Sequence, residues 1–201
     1  MAKLTQVRKS AYYLTEPAVQ LLARTRITPT TLTWLGFSIT LGAAALIATG
    51  HLFIAGFVVL VAGFFDMLDG ALARRTNQVT RFGAVLDSVL DRLSDAVPLL
   101  GILVFYLFFR DQSTIGILFV CLALIGSPLV SYIRARAEAL GLECQVGLFT
   151  RAERVIMLAV GLLLSQFVDY ALIIALAVIA VFSFVTAGQR LIYVRQQTKT
   201  K

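Results

Sequence analysis

The chain has 201 residues, of which 59% are apolar and only 14% are charged. A water-soluble fold of this length would have to expose far more apolar surface than soluble proteins do, and a disordered chain would carry more charge. Both classes are therefore excluded, and an integral membrane protein is expected. The formal net charge of +7 is interpreted as a signal of membrane topology rather than of nucleic-acid binding, because Lys and Arg collect on the cytoplasmic side of membrane proteins.

The first 27 residues are predicted to form a cytoplasmic juxtamembrane amphipathic helix. Apolar residues recur at intervals of three and four between positions 4 and 21, with Lys and Arg among them, which is typical of a helix lying on the inner membrane face. Pro17 is expected to divide this helix, with Thr15 capping its second half. Docking on the rest of the protein is the alternative interpretation, and the two are compatible.

Six apolar stretches follow within one predicted domain, residues 28–201. They reach or approach the roughly 20 residues needed to span a bilayer, and none alternates with period two, so helices are expected. The predicted spans are 32–49, 52–73, 82–109, 113–133, 155–168 and 170–188. If the N-terminus is cytoplasmic, 17 of the 18 Lys and Arg residues lie on the cytoplasmic side and only Arg110 lies outside. We therefore predict an all-α, six-helix multi-pass protein of the cell membrane, with both termini in the cytoplasm.

Four aspartates lie inside the second and third predicted spans, where each carboxylate costs about 2.5 to 3.5 kcal/mol on insertion scales. Asp66 and Asp69 are three residues apart, and Asp87 and Asp91 are four apart, so each pair shares a helix face. At about 1.5 Å per residue, both pairs lie roughly 7 to 13 Å from the inner ends of their helices. The short loop between the two helices should make them antiparallel neighbours. The two acidic pairs are therefore expected to meet.

A pocket of four carboxylates is stable only if protons or cations neutralise it. Sets of oxygen ligands select hard ions such as Mg²⁺, Mn²⁺ or Ca²⁺, which predicts a site for one or two divalent metals. The small residues Gly70 and Gly83 would let a ligand approach the helix backbone beside the metals. Arg74 would hold an anionic group, because a guanidinium matches the oxygens of a phosphate.

Two sequence segments carry these acidic pairs. The first is Asp66-Met-Leu-Asp69-Gly70-Ala-Leu-Ala73-Arg74, and after eight residues the second is Gly83-Ala-Val-Leu-Asp87-Ser-Val-Leu-Asp91. Together they resemble the complete signature of the CDP-alcohol phosphatidyltransferases, with all eight signature positions at the family spacing. The resemblance implies a homodimer with two metal ions per subunit, Mg²⁺ or Mn²⁺, bound by Asp66, Asp69 and Asp87. It implies that Asp91 also contacts metal and is the general base for the incoming hydroxyl.

The reaction implied by this resemblance belongs to phospholipid biosynthesis. A hydroxyl attacks the lipid-linked phosphorus of a CDP-linked lipid, and CMP leaves. The family also places a Thr-Pro-Asn-like turn near the nucleotide. Here that turn is Thr28-Pro29-Thr30-Thr31-Leu32-Thr33, with Thr30 at the usual Asn or Asp position. The residues assigned to the nucleotide and donor are Gly70, Arg74, Gly83, Thr28, Pro29 and Thr33.

Basic residues near the inner ends of the last three spans form a second cluster. The run Tyr132-Ile-Arg134-Ala-Arg136-Ala-Glu138, with Arg151-Ala-Glu153-Arg154 after it, is similar to the family branch that transfers lipid phosphate to L-myo-inositol-1-phosphate. This resemblance implies a CDP-diacylglycerol donor, a phosphorylated polyol acceptor and the product phosphatidylinositol phosphate. It implies that the acceptor phosphate is bound by Arg134, Arg151, Arg154 and Arg190. The alternative is that these cations are anchors to membrane lipids.

Other functions are compatible with parts of the pattern. A glycerol-3-phosphate acceptor would suit the same basic pocket, and the sequence does not distinguish a donor with ester-linked tails from an ether-linked donor such as an archaetidyl lipid. Outside the family, an intramembrane prenyltransferase would lack the Gly-Ala-Arg element, and a divalent-cation transporter would place its carboxylates nearer the bilayer midplane. Asp95 continues the face of Asp87 and Asp91 by one turn and is expected to be a hydrogen-bonded structural carboxylate.

Overall fold

The computed structural model describes residues 16–23, 27–76, 78–109 and 113–199, which form helices joined by turns and short loops. All six predicted stretches are helical, so the all-α prediction is confirmed for this part of the chain. A short helical segment, residues 16–22, comes first. It is followed by α1 (Pro29–Ala48), α2 (Leu52–Arg75), α3 (Arg81–Phe108), α4 (Thr114–Ala139), α5 (Arg151–Leu164) and α6 (Ala171–Lys199).

Side-chain caps fix where several helices begin. The hydroxyls of Thr28, Thr80 and Ser113 accept hydrogen bonds from the backbone N–H three residues later, at the starts of α1, α3 and α4. At the start of α5, the Glu153 carboxylate accepts a hydrogen bond from the Thr150 backbone N–H at 2.5 Å. Because of this cap, α5 begins at Arg151, before the predicted span.

Four helices, α1, α2, α4 and α6, are long and apolar enough to cross a bilayer, which makes the chain a multi-pass membrane protein. The other two fall outside that group for different reasons. α3 has 28 residues but carries several charged side chains within its first half. α5 is apolar along most of its length but has only 14 residues.

The bundle has one main core, and glycines set the distances between its helices. α1 packs against both α2 and α3, α5 packs against α2 and α6, and α4 packs against α3 and α6. A Cβ atom on Gly101 of α3 would lie 2.6 Å from the backbone oxygen of Ala44 on α1. A Cβ on Gly161 of α5 would lie 2.4 Å from the Cβ of Ala175 on α6. These contacts require glycine, as is common where membrane helices approach closely.

The helical segment 16–22 packs on the inner end of α2. Val19 is buried in a small cluster with Leu32, Leu68 and Leu72, and Glu16 forms a salt bridge with Arg75. This segment is therefore docked on the protein, as the alternative interpretation of the N-terminal pattern predicts. The rest of the predicted amphipathic helix, residues 1–15 and 24–26, lies outside the described residues.

Candidate active site

The structure brings the four predicted metal-binding aspartates together at one end of the bundle. The carboxylates of Asp66, Asp69 and Asp87 interact electrostatically with one another, and Asp91 interacts with Asp66 and Asp87. The expectation that α2 and α3 pack as direct neighbours needs correction, because within the described residues each helix packs mainly against α1. The acidic pairs therefore face each other across a cleft between α2 and α3.

The guanidinium of Arg151, on the first turn of α5, lies in this cleft. Its Nη2 donates to Asp66 Oδ2 at 2.5 Å, and its Nη1 lies 2.6 Å from Asp91 Oδ1. Its Nε donates to Asp95 Oδ1 at 3.0 Å. Because α5 packs against α2, the Arg151 side chain reaches carboxylates of both α2 and α3 and partly neutralises the acidic cluster. Helical spacing alone did not predict these ion pairs.

Asp69 is the most deeply buried carboxylate of the cluster, with only 3% of the residue exposed. Its Oδ1 accepts a hydrogen bond from the Gly70 N–H at 2.5 Å. Its Oδ2 is buried and has no hydrogen-bond partner among the described residues. A buried acceptor without a donor costs about 1 to 3 kcal/mol, and a charged acceptor costs more. A bound cation would remove that cost.

The residues present fit a hard divalent metal ion, since the cluster offers only carboxylate oxygens and one of them lacks a partner. Within the described residues, however, no three Asp, Glu, His or Cys side chains converge closely enough to hold a metal ion. The Arg151 guanidinium lies between Asp66 and Asp91. A metal ion bound by both carboxylates would require this guanidinium to move.

The residues predicted to contact the nucleotide surround the start of α1. The Thr28 hydroxyl accepts a hydrogen bond from the Thr31 N–H at 3.2 Å, and Pro29 is the first residue of the helix. Thr33 is buried beside Asp69. Sequence reasoning missed Gly36, where a Cβ would lie 3.3 Å from Asp66 Oδ1. Its position one turn after Thr33, on the same face, was the available signal.

The predicted donor-binding residues of α2 and α3 are Gly70, Arg74 and Gly83, and each contacts different neighbours. The Arg74 guanidinium folds back over Gly70, since a Cβ there would lie 3.4 Å from Arg74 Nη1. Arg74 is exposed, interacts electrostatically with Asp87 and forms no salt bridge with a described residue. A Cβ on Gly83 would lie only 2.8 Å from the Thr80 hydroxyl. Gly83 therefore leaves room for the cap of α3.

A cavity of about 700 Å³ opens beside the acidic cluster, a volume typical of small-molecule sites. Asp91 and Asp95 contribute to its wall. It is also lined by all four arginines predicted to bind the acceptor, which are Arg134, Arg151, Arg154 and Arg190. The cavity thus joins the basic cluster to the acidic one.

The four arginines are held in different ways. Arg154 is 4% exposed, and its Nη2 donates to Asp95 Oδ2 at 2.5 Å. The Nε and Nη1 of Arg154 have no partner among the described residues. Arg190 donates to the backbone oxygens of Val146 and Val130, whereas Arg134 is exposed and pairs with Glu138. Among the predicted acceptor-binding residues, Arg154 is therefore the one with buried, unsatisfied donors.

Asp95 is the buried partner of two of these arginines, as its predicted structural role requires. Its side chain is 8% exposed, and its two oxygens accept hydrogen bonds from Arg151 and Arg154 separately. Both arginines come from the first turn of α5. Asp95 therefore fixes that turn of α5 against α3.

The family model of the CDP-alcohol phosphatidyltransferases matches residues 26–187. The chain belongs to this family. The match spans both acidic pairs and the first turn of α5. As a CDP-alcohol phosphatidyltransferase, the protein is a membrane enzyme of phospholipid biosynthesis.

Curated members of the CDP-alcohol phosphatidyltransferase family are similar over most of their length. A phosphatidylinositol phosphate synthase of Mycobacteroides abscessus is 41% identical over 191 residues, which cover 94% of this chain and 86% of the relative. An archaetidylinositol phosphate synthase of Methanothermobacter thermautotrophicus is 41% identical over 169 residues, covering 84% of this chain and 83% of the relative.

Solved structures agree with this CDP-alcohol phosphatidyltransferase fold. The crystal structure of Mycobacterium tuberculosis phosphatidylinositol phosphate synthase with CDP-DAG bound superposes with a TM-score of 0.82 at 37% identity, over 90% of this chain and 94% of that one. The same enzyme in complex with manganese and citrate gives a TM-score of 0.82 at 38% identity, over 90% and 88% of the two chains.

Proposed function

We propose that the enzyme transfers the phosphatidyl group of CDP-diacylglycerol to L-myo-inositol-1-phosphate, giving phosphatidylinositol phosphate and CMP. The observation that carries this proposal is the cavity of about 700 Å³, whose wall combines the four predicted acceptor-binding arginines with Asp91. A phosphate would complement the charge of Arg154, whose side chain lines this cavity and has unpaired N–H groups. Serine or free inositol would leave these donors unsatisfied. The phosphatidylinositol phosphate synthase and the archaetidylinositol phosphate synthase among the relatives support the same acceptor.

Asp91 is assigned as the general base. It lies at the boundary between the acidic cluster and the cavity, because it pairs with Arg151 and also lines the cavity wall. An acceptor whose phosphate binds Arg134, Arg151, Arg154 and Arg190 would bring a hydroxyl within reach of this carboxylate, which can then accept its proton.

The donor is assigned to the other side of the cluster. Thr33 lies beside Asp69, and Arg74 interacts with Asp87. The residues proposed to bind the donor are Thr28, Pro29, Thr33, Gly70, Arg74 and Gly83. None of these six residues lines the acceptor cavity, so the two substrates would bind in separate places. The exposed Arg74 guanidinium would bind the diphosphate of the CDP-linked lipid.

Two Mg²⁺ ions, or Mn²⁺ ions in their place, are assigned to Asp66, Asp69, Asp87 and Asp91. When bound, such ions neutralise the charge of the diphosphate and of the departing CMP. The unpartnered oxygen of Asp69 supports this assignment. The manganese complex of the M. tuberculosis relative supports it independently.

The proposed architecture has six membrane-spanning helices in a catalytic domain of residues 28–201, preceded by a juxtamembrane amphipathic helix in residues 1–27. The distribution of Lys and Arg supports a cytoplasmic location for both termini and for the active site, on the inner side of the cell membrane. The family resemblance supports a homodimer.

The test uses purified protein, Mg²⁺ and labelled CDP-diacylglycerol, with inositol-1-phosphate, glycerol-3-phosphate, serine or free inositol as the acceptor. We expect CMP release with inositol-1-phosphate and little with the others. Preference for glycerol-3-phosphate would replace the proposed activity with phosphatidylglycerophosphate synthesis. CMP release with none of the four would refute the acceptor assignment.

The archaeal relative favours a second candidate donor with ether-linked tails. An archaetidyl CDP-lipid is therefore compared with CDP-diacylglycerol at the same acceptor concentration. A higher kcat/KM for the ether lipid would make the enzyme an archaetidylinositol phosphate synthase.

A further inference from the structure

Arg151 contacts residues with two different proposed roles. Its guanidinium pairs with Asp66 and Asp91, which are proposed metal ligands, at 2.5 and 2.6 Å. The same side chain lines the cavity proposed for the acceptor phosphate. Its contacts with Asp66, Asp91 and Asp95 occupy three of the five N–H groups of the guanidinium, which leaves only two for a phosphate.

We propose that Arg151 is a mobile counter-cation that couples the metal site to the acceptor cavity. In the structure its guanidinium neutralises Asp66 and Asp91. When a divalent cation binds, the guanidinium leaves these carboxylates, keeps its contact with Asp95 and offers its Nη groups to the acceptor phosphate. This inference rests on the proposed function and adds an order of binding, in which the cation precedes the acceptor.

Competition for the same oxygens supports this exchange. A cation bound to Asp66 and Asp91 would be repelled by a guanidinium within hydrogen-bond distance of both carboxylates. The Arg151 guanidinium lies within 2.6 Å of both Asp66 and Asp91, in the space that a cation shared by these two carboxylates would occupy. The guanidinium therefore has to move if the cation is to bind.

The surroundings of Arg151 allow its side chain to move while the helix stays in place. Its side chain is 26% exposed, whereas that of the neighbouring Arg154 is only 5% exposed. The Glu153 carboxylate holds the backbone at the start of α5. The hydrogen bond from Arg151 Nε to Asp95 lies on the side of the acidic cluster that faces the cavity, because Asp95 also lines the cavity. Asp95 is therefore placed to act as a pivot.

The first measurement is the Kd of Mn²⁺ for the detergent-purified full chain, by electron paramagnetic resonance and without substrates. Arg151→Gln should bind Mn²⁺ about tenfold more tightly than the wild type, because the competing cation is gone. Arg151→Lys keeps the charge but cannot pair with both carboxylates at once. It should therefore show a smaller gain in affinity.

Arg92→Gln is the matched electrostatic control. Arg92 is adjacent to Asp91 in the sequence and lines the same cavity, but its Nη1 donates to the Ser88 backbone oxygen. Its loss removes one positive charge without removing a competitor, so the Kd of Mn²⁺ should change less than about twofold. Equal gains in Arg92→Gln and Arg151→Gln would refute the exchange, as would an unchanged Kd in both Arg151 variants.

The second measurement is the factor by which saturating Mn²⁺ changes the Kd of inorganic phosphate. In the wild type, saturating Mn²⁺ should tighten phosphate binding, and by linkage phosphate should tighten Mn²⁺ binding by the same factor. This factor should fall several-fold in Arg151→Gln but not in Arg92→Gln. An undiminished factor in Arg151→Gln would overturn the proposal. Neither measurement depends on turnover or on the identity of the acceptor, so failure of the proposed function would be seen separately, in the CMP assay.

Discussion

At the scale of single residues, Asp91 and Asp69 differ in how accessible their carboxylates are. Asp69 is buried with only 3% of the residue exposed, whereas the Asp91 side chain is 34% exposed and lines the cavity. A base must reach the hydroxyl that it deprotonates. Asp91 meets that requirement, and Asp69 is better placed to hold a cation.

Replacing Asp91 with Asn should lower kcat by about a hundredfold to ten-thousandfold, the range expected for loss of a general base. Binding of CDP-diacylglycerol should survive in part, because the other carboxylates remain. CMP release and equilibrium donor binding are measured on the same preparation. Asp169→Asn, in the loop before α6, is the control and should retain wild-type turnover. Retained turnover in Asp91→Asn would remove Asp91 as the base.

Arg154→Gln should raise the KM of the acceptor about tenfold or more, because a hydrogen bond to a charged group contributes roughly 1.5 to 3 kcal/mol. The KM of the lipid donor should change much less. Arg136→Gln, an exposed residue of α4 that does not line the cavity, should change neither. Equal increases in both KM values for Arg154→Gln would favour a purely structural role for this buried side chain, through its ion pair with Asp95.

The sequence predicted the clustering of the four aspartates better than it predicted their ion-pair partners. The meeting of the aspartates followed from helical spacing and depth, which depend on residues close in sequence. The ion pair between Arg151 and Asp66 joins residues 85 positions apart, and it depends on how α5 packs against α2. The need to neutralise four carboxylates indicated that a cation would be present, but spacing could not say which one.

At the scale of helices, the contact between α1 and α3 depends on the absence of a side chain at Gly101. A Cβ there would meet the backbone oxygen of Ala44 at 2.6 Å, and a backbone atom cannot move aside as a flexible side chain can. α1 carries Thr33, and α3 carries Asp87 and Asp91. Their separation therefore also sets the geometry of the site.

Gly101→Ala should destabilise the protein by about 1 to 3 kcal/mol through overpacking. The readout is the apparent Tm in detergent, which should fall by several degrees. Gly42→Ala is the matched control, because Gly42 lies on α1 and a Cβ there would meet nothing within 4 Å. That variant should be neutral or slightly stabilised, since Ala favours helix over Gly. Equal Tm values for the two variants would argue against a close contact at Gly101.

The existence of the six helices was predictable because their length and apolar character are local properties of the chain. The residues at which the helices begin and end were harder to predict. α5 begins at Arg151 because the Glu153 carboxylate caps the preceding turn, which lies before the apolar stretch predicted at residues 155–168. The cleft between α2 and α3 was also missed, because a short connecting loop does not reveal that each helix packs against α1.

At the scale of the whole molecule, the proposed orientation can be tested by cysteine labelling. In a Cys121→Ala, Cys144→Ala background, His51→Cys should react with a membrane-impermeant maleimide in intact cells, whereas Arg136→Cys should react only after permeabilisation. Both positions are exposed, so both should label in permeabilised cells. The opposite pattern in intact cells would reverse the proposed topology.

The acidic face of α3 also has a consequence for biosynthesis. Asp87, Asp91 and Asp95 each disfavour insertion by about 2.5 to 3.5 kcal/mol near the centre of a membrane helix, and their partners on α5 leave the ribosome later. α3 should therefore enter the bilayer stably only after α5 supplies Arg151 and Arg154. In a chain truncated after α4, a glycosylation reporter following α3 should be modified less often than in the full chain. The arginines of α5 would then have a role in the insertion of α3 in addition to the proposed binding of the acceptor.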